Sequence, residues 1–171
     1  VRARGLDAPD VPLGVMIEVP SAAIMADRFA REAAFLSLGT NDLVQYALAV
    51  DRGSRTLAYL ASPFDPAILR LVAKVVRAGA ENLRAVSVCG AMASDPLAAL
   101  LLIGLGVREL SMEAAALPAL RESLRRATLS ELEDVARQAL AADTADEVEL
   151  VVAGSFAPRL VDLLVGETED D

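Results

Sequence analysis

Histidine and tryptophan are absent from the 171 residues, and aromatic residues make up only 4%. Cysteine and lysine occur once each, as Cys89 and Lys74. The lack of histidine excludes Ser-His-Asp and Cys-His machinery, histidine-ligated zinc, and any phosphohistidine carried on this chain itself. A single lysine leaves little scope for Schiff-base chemistry. A single cysteine forbids an intramolecular disulfide and gives no sign of secretion. Phosphate-cradling signatures are missing as well. There is no G-x-x-x-x-G-K-[ST], Gly104-Leu105-Gly106 does not continue to a third glycine, and no G-x-S-x-G elbow occurs. Acidic residues outnumber basic ones, 25 to 16, and the net charge of −9 argues against a nucleic-acid surface. Arg2, Arg4, Asp7 and Asp10 interrupt the first ten residues, so no apolar leader is read there. The longest uncharged, mostly apolar stretch, Pro96 to Val107, contains two glycines and falls far short of the roughly 20 residues of a membrane helix. The expectation is a cytoplasmic chain without membrane insertion.

What is present is a core. With 54% apolar and 24% charged residues, the chain fits one domain or a large piece of one. Three apolar runs read as strands: Val15–Ile17, Phe35–Leu38 and Ala85–Cys89. A weaker fourth, Val107–Met112, is interrupted by Arg108 and Glu109. The first three do not alternate cleanly, which predicts parallel strands buried on both faces. Helical patterns separate them. Ala22–Ala33 follows Pro20-Ser21, and Asp65-Pro66 opens a helix striped by Ile68, Leu71, Val72, Val75 and Val76. Ser94-Asp95-Pro96 opens a third, and Pro118 lies near the start of a fourth with Leu117, Leu120 and Leu124. Four β-α units in a row predict an α/β fold with a parallel sheet and right-handed crossovers. After Thr128 the strands stop. Ser130-x-x-Glu133 and Thr144-x-x-Glu147 read as capping boxes of a helical C-terminal extension. An apolar Leu160–Val165 segment and an acidic tail over 166–171, expected to fray, complete it.

In parallel α/β architectures ligands bind at the carboxyl ends of the strands, and the polar residues follow that rule. Glu18 lies near the end of the first strand, Gly39-Thr40-Asn41-Asp42 follows the second, Cys89-Gly90 ends the third and Ser111-Met112 the fourth. Carboxylates at adjacent strand ends suit Mg²⁺, which takes one or two carboxylates and completes its octahedron with substrate phosphate and water. A second reading has Glu18 paired with an arginine and Asp42 capping the helix at Leu43. Cys89 also has two readings, a reactive thiol or a small buried hydrophobe. Arg52 falls in a long stretch without strand character, between Ala47 and Pro63. Such a stretch suits a binding loop, where an arginine holds a phosphate or carboxylate bidentately or is simply solvated.

Four segments in order carry a family resemblance: Gly14-Val-Met-Ile-Glu-Val-Pro-Ser-Ala-Ala23, Ser37-Leu-Gly-Thr-Asn-Asp-Leu-Val-Gln-Tyr46, Asp51-Arg52, and Val88-Cys-Gly-Ala-Met-Ala-Ser-Asp-Pro96. They resemble the phosphoenolpyruvate (PEP)-binding barrel of the PEP-utilising enzymes. Several motifs in order are far more specific than any one alone. The Val44-Gln-Tyr-Ala-Leu-Ala-Val-Asp-Arg52 continuation is more similar to Enzyme I of the sugar phosphotransferase system than to pyruvate phosphate dikinase. The resemblance implies that Glu18 and Asp42 are Mg²⁺ ligands and that Asn41 and Arg52 hold the phosphoryl group. It also implies that Cys89 is the thiol that protonates the enolate carbon to give pyruvate. It departs from the family pattern at Ala91, where a glutamate is usual, and at Ser94, where a glycine is usual.

A complete eight-unit barrel takes about 250 residues, and four β-α units are read here. The expected fold is therefore the C-terminal half of a (β/α)8 TIM-type barrel. A lead-in covers residues 1–13, the four units residues 14–127, and the helical extension residues 128–165. The partners implied are PEP and pyruvate, a phosphocarrier protein reached through a separate N-terminal domain, and a second copy in a homodimer. The alternatives are another PEP-utilising barrel enzyme, such as a dikinase or PEP synthase, and a noncatalytic dimerisation or regulatory remnant.

Overall fold

The computed structural model describes Arg4, residues 10–51, Leu57 and residues 60–164. Arg52 and the acidic tail therefore lie outside the described residues. Four parallel strands form one sheet: β1 (Val15–Ile17), β2 (Phe35–Gly39), β3 (Ala85–Cys89) and β4 (Glu109–Ser111). Their spatial order follows the chain, β1-β2-β3-β4, with Leu36 opposite Val15 and Val86, and Cys89 opposite Gly39 and Ser111.

The register divides the sheet into two unlike faces. Ile17, Leu36, Leu38, Val86 and Val88 point into a continuous core under the helices. Burying each such side chain contributes about 1.5–3 kcal/mol. Met16 and Phe35 alternate with them and stay 46% and 41% exposed. The expectation of strands buried on both faces is therefore corrected. Among the described residues one face is covered and the other is open. The apolar residues on the open face, Met16, Phe35, Ala85 and Cys89, are what blurred the alternation in the sequence.

The helices follow from local chemistry. In α4 (Pro66–Glu81), Asp65 caps the start by accepting from the Ala67 N–H at 2.7 Å, and proline fills the first turn. Its buried face runs through Ile68, Leu69, Val72, Val75 and Ala78, with Leu71 and Val76 at the margins. The segment expected as one helix over Ala22–Ala33 is two, α1 (Pro20–Ile24) and α2 (Ala26–Glu32), broken where Met25 leaves helical geometry. After β2 comes α3 (Thr40–Leu48), and after β3 a single turn, α5 (Ala91–Ser94). Next is α6 (Pro96–Gly104), capped by the Asp95 carboxylate on the Ala98 N–H. A 3₁₀ turn over Ala114–Ala116 leads into α7 (Leu117–Arg125).

The helical extension consists of α8 (Leu129–Ala141) and α9 (Ala145–Leu164). The first capping box sits two residues earlier than Ser130 and Glu133 suggest. Thr128 accepts from the Glu131 N–H while Glu131 accepts from the Thr128 N–H, because the helix begins at Leu129. In the second, Thr144 accepts from the Glu147 N–H, and the Glu147 carboxylate reaches the Asp143 N–H. The α6 helix is apolar all round because it is sandwiched, with α8 against its outer side. Gly104 makes that crossing possible: a Cβ there would lie 2.1 Å from the Leu132 carbonyl oxygen.

A polar clasp ties α9 to the α7–α8 corner. Arg126 grips Asp162 with two N–H groups at 2.6 and 2.9 Å and donates to the Arg159 carbonyl at 2.7 Å. Arg159 returns a bond to the Arg126 carbonyl and another to Glu131 at 2.9 Å. The Arg159 guanidinium, helped by the Thr128 N–H and hydroxyl, holds the Glu131 carboxyl down at about 2. A carboxylate with a depressed pKa contributes stability above its ordinary value, and that contribution is lost as pH falls through the folded value. The docking of α9 therefore loosens between about pH 4.5 and 2. Amide hydrogen exchange along α9 over this range checks it, and in the Glu131→Gln chain the step should shrink to the part contributed by Asp162, whose carboxyl Arg126 also holds down.

Candidate active site

The carboxyl ends of β1, β2 and β3 place Glu18, Asn41, Asp42 and Cys89 at one end of the sheet; Arg52 lies outside the described residues. Glu18 follows β1 on the open-face side, half-buried, with its carboxylate against Gly39. A Cβ at position 39 would sit 3.0 Å from Glu18 Oε2 and 3.2 Å from Met16 Sδ. The glycine that ends β2 is thus a clearance for the acidic group at the neighbouring strand end. Among the described residues Glu18 takes part in no ion pair, so the arginine-paired reading finds no support there. Asp42 lies in the first turn of α3, half-buried, and Gly39 rather than Asp42 occupies the capping position.

Cys89 ends β3 and is half-buried on the open face. Its Sγ lies 3.5 Å from the Leu38 carbonyl oxygen, 3.9 Å from Ser37 Oγ and 4.0 Å from Met16 Sδ. The turn beyond it is held from α3. The Thr40 hydroxyl, fully buried, donates to the Cys89 carbonyl at 3.1 Å, and Asn41 Oδ1 accepts from the Ala91 N–H at 2.9 Å. Gly90 between them has φ +113°, and a Cβ there would meet Thr40 Oγ1 at 2.7 Å and Asn41 Oδ1 at 2.9 Å. Glycine is required twice over, for conformation and for space. The Asn41 contact is to the backbone N–H of residue 91, so alanine satisfies it as well as any non-proline residue would.

A depression of about 470 Å³ opens beside this turn, lined by Asn41, Cys89, Gly90, Ala91, Ser94, Ser111, Met112 and Glu113. Asn41 and Cys89 share it; Glu18 and Asp42 do not line it. Sequence reading assigns no role to Ser37, Thr40 or Glu113. Ser37 and Glu113 were findable from strand parity and from the strand-end rule. The Thr40 role depends on a partner 49 residues away, which no local signal announces. A second depression, about 290 Å³, lies at the amino ends of β3 and β4. The arginines lining it are engaged with backbone: Arg84 with the Ala30 carbonyl, Arg108 with those of Ile103 and Val107.

The donor set suits a hard cation. Glu18 and Asp42 offer carboxylate oxygens from adjacent strand ends, and Mg²⁺ uses one or two such groups with substrate phosphate and water. Among the described residues no three acidic, cysteine or histidine groups form a closed cage, so these two carboxylates would have to share the ion with substrate. Among the described residues no helix is long and apolar enough to cross a membrane.

Comparison with known proteins identifies the family. The chain is 49% identical over 153 residues to a multiphosphoryl transfer protein of Xanthomonas campestris, covering 90% of this chain and 18% of that protein. It is 44% identical over 153 residues to a phosphoenolpyruvate-protein phosphotransferase of Listeria monocytogenes, covering 88% and 27% respectively. To the phosphotransferase of Bacillus subtilis it is 39% identical over 156 residues, covering 91% and 27%. The chain thus spans between a sixth and little more than a quarter of the length of these relatives. Residues 1–129 match the family described as PEP-utilising enzyme, PEP-binding domain. With three-quarters of its length inside that match, and with Glu18, Asn41, Asp42 and Cys89 gathered at one end of a parallel sheet, the chain belongs to the PEP-utilising enzymes.

Proposed function

We propose that this chain is the C-terminal half of the PEP-binding barrel of a PEP-protein phosphotransferase of the Enzyme I type, acting in the cytoplasm. The observation that carries the reading is the convergence of Glu18, Asn41 and Cys89 at the carboxyl ends of three neighbouring parallel strands. Strand order that never reverses, with helices on one face, supports an arc of a barrel over a doubly wound sheet. The open face and the two sheet edges left unpaired among the described residues are then the surfaces that the other four β-α units cover.

In this reading Glu18 and Asp42 hold Mg²⁺, which when bound offsets charge on the phosphoryl oxygens. Asn41, whose Oδ1 is committed to the Ala91 N–H, has its amide N–H₂ left to donate to the phosphoryl group, with Arg52 completing the grip. The bond between the enol oxygen of PEP and phosphorus breaks, and its electron pair stays on that oxygen. The enolate then takes a proton at carbon from the Cys89 thiol and becomes pyruvate. The phosphoryl group goes to a histidine on another domain, since this chain has none, and from there to a phosphocarrier protein. The complete enzyme works as a homodimer, and the isolated chain, lacking both substrate enclosure and acceptor, is inactive.

Phosphate tracing tests this. A full-length polypeptide carrying this sequence, given Mg²⁺ and PEP, is expected to phosphorylate a histidine outside residues 1–171. The isolated chain should accumulate no phosphate and consume no PEP, and PEP-dependent labelling of the isolated chain would refute the reading.

A further inference from the structure

The Cys89 sulfur has three close neighbours on the open face, and they are chemically unequal. The Leu38 carbonyl at 3.5 Å and the Met16 thioether at 4.0 Å can only accept a hydrogen bond. The Ser37 hydroxyl at 3.9 Å can donate one. The register places Ser37 opposite Met16 and Ser87, two residues before Gly39, so its side chain stands on the same face as the thiol. Among the described residues, the charged side chains just beyond the carboxyl ends of the flanking strands are carboxylates: Glu18 after β1, Asp42 on α3 and Glu113 beyond β4. The helix that follows Cys89, α5, carries no charge. Among the described residues Ser37 is therefore the one side-chain donor at hydrogen-bond distance from the sulfur.

Resting on the reading of Cys89 as the proton donor, we propose that Ser37 is a positioning residue for that thiol, and that its hydroxyl stabilises the sulfur once the proton has left. In the transfer, the π pair of the enolate forms the new carbon–hydrogen bond with the thiol proton. The S–H bonding pair remains on sulfur, which regains a proton from water. Before the step the S–H points to the Leu38 carbonyl while Ser37 donates to a sulfur lone pair. After it the Leu38 contact has no hydrogen, and the Ser37 bond, now charge-assisted, is what remains.

Because Cys89 is the only cysteine, alkylation of the 171-residue chain by iodoacetamide reports this sulfur alone. The reagent consumes the thiolate, so its rate follows how readily that form is reached. At one fixed neutral pH, Ser37→Ala should react about fivefold more slowly than the native chain, the worth of one hydrogen bond, and Ser37→Thr should restore the rate. Removing the hydroxyl also opens the approach to the sulfur, so a merely steric role gives a faster reaction. An unchanged or faster rate in Ser37→Ala, or no rescue by threonine, would overturn the proposal. The underlying reading is judged separately: in the full-length enzyme, exchange of pyruvate methyl protons that survives in Cys89→Ala overturns the proton-donor role, whatever the alkylation rates show.

Discussion

Alanine in place of either Glu18 or Asp42, in a full-length phosphotransferase carrying this sequence, is expected to lower Mg²⁺-dependent PEP turnover about 100-fold or more while the fold persists. The physical reason is the contrast between what these groups do for the fold and what they offer a cation. Glu18 is half-buried, takes part in no ion pair among the described residues, and rests against a glycine. Its removal leaves no unpaired buried partner behind. Asp42 has a partner of its own and stands in the first turn of α3, where an acidic group is worth about 0.3–1 kcal/mol through the helix dipole. Neither contribution approaches what is lost when a divalent ion loses one of two carboxylate anchors. Initial rates over a range of Mg²⁺ concentrations, with unfolding midpoints of the same variants, separate the two effects. Wild-type metal dependence in both variants would leave Glu18 as a solvated acid and Asp42 as a helix-dipole residue.

The Cys89→Ala enzyme should form pyruvate about 100-fold more slowly, a loss typical of removing a positioned general acid. Solvent deuterium should no longer enter the pyruvate methyl group, since the group that would take and return its proton is gone. Binding of PEP and Mg²⁺ should be nearly unchanged, because sulfur is no ligand of either in this reading. The alternative, Cys89 as a small packing residue, predicts the reverse: a modest loss of stability and intact exchange. Proton NMR of pyruvate in deuterated buffer distinguishes them in one experiment. Retained methyl exchange would return Cys89 to a packing role.

Much of the scaffold is legible from local patterns because its determinants are local. Asp65-Pro66 and Asp95-Pro96 each combine a capping carboxylate with a proline in the first turn, and both helices begin there. The three apolar runs became β1, β2 and β3 to within a residue. What was misread depends on partners distant in sequence. Met16, Phe35 and Ala85 looked like core, yet they stand on an open face, and nothing local distinguishes a face awaiting cover from one already covered. The first capping box was displaced because Ser130-Glu133 and Thr128-Glu131 offer the same spacing two residues apart, and the start of α8 selects between them. At the site, Glu18, Asn41 and Cys89 were legible because strand ends collect ligands, and their order along the chain matches a known motif set. The Thr40 bond to the Cys89 carbonyl and the Ser37 approach to its sulfur were not, since each joins residues about 50 apart.

The central claim is that this domain draws a phosphoryl group from PEP and hands it to a histidine elsewhere in the polypeptide. Its most direct test follows the phosphate. The full-length protein is incubated with PEP labelled in its phosphoryl group and with Mg²⁺, then cleaved ahead of this segment, and the label is located. The prediction is an acid-labile, alkali-stable phosphohistidine entirely outside residues 1–171, formed in step with pyruvate and abolished by chelating the metal. Label held within residues 1–171, or pyruvate formed without any phosphorylated histidine, would contradict it.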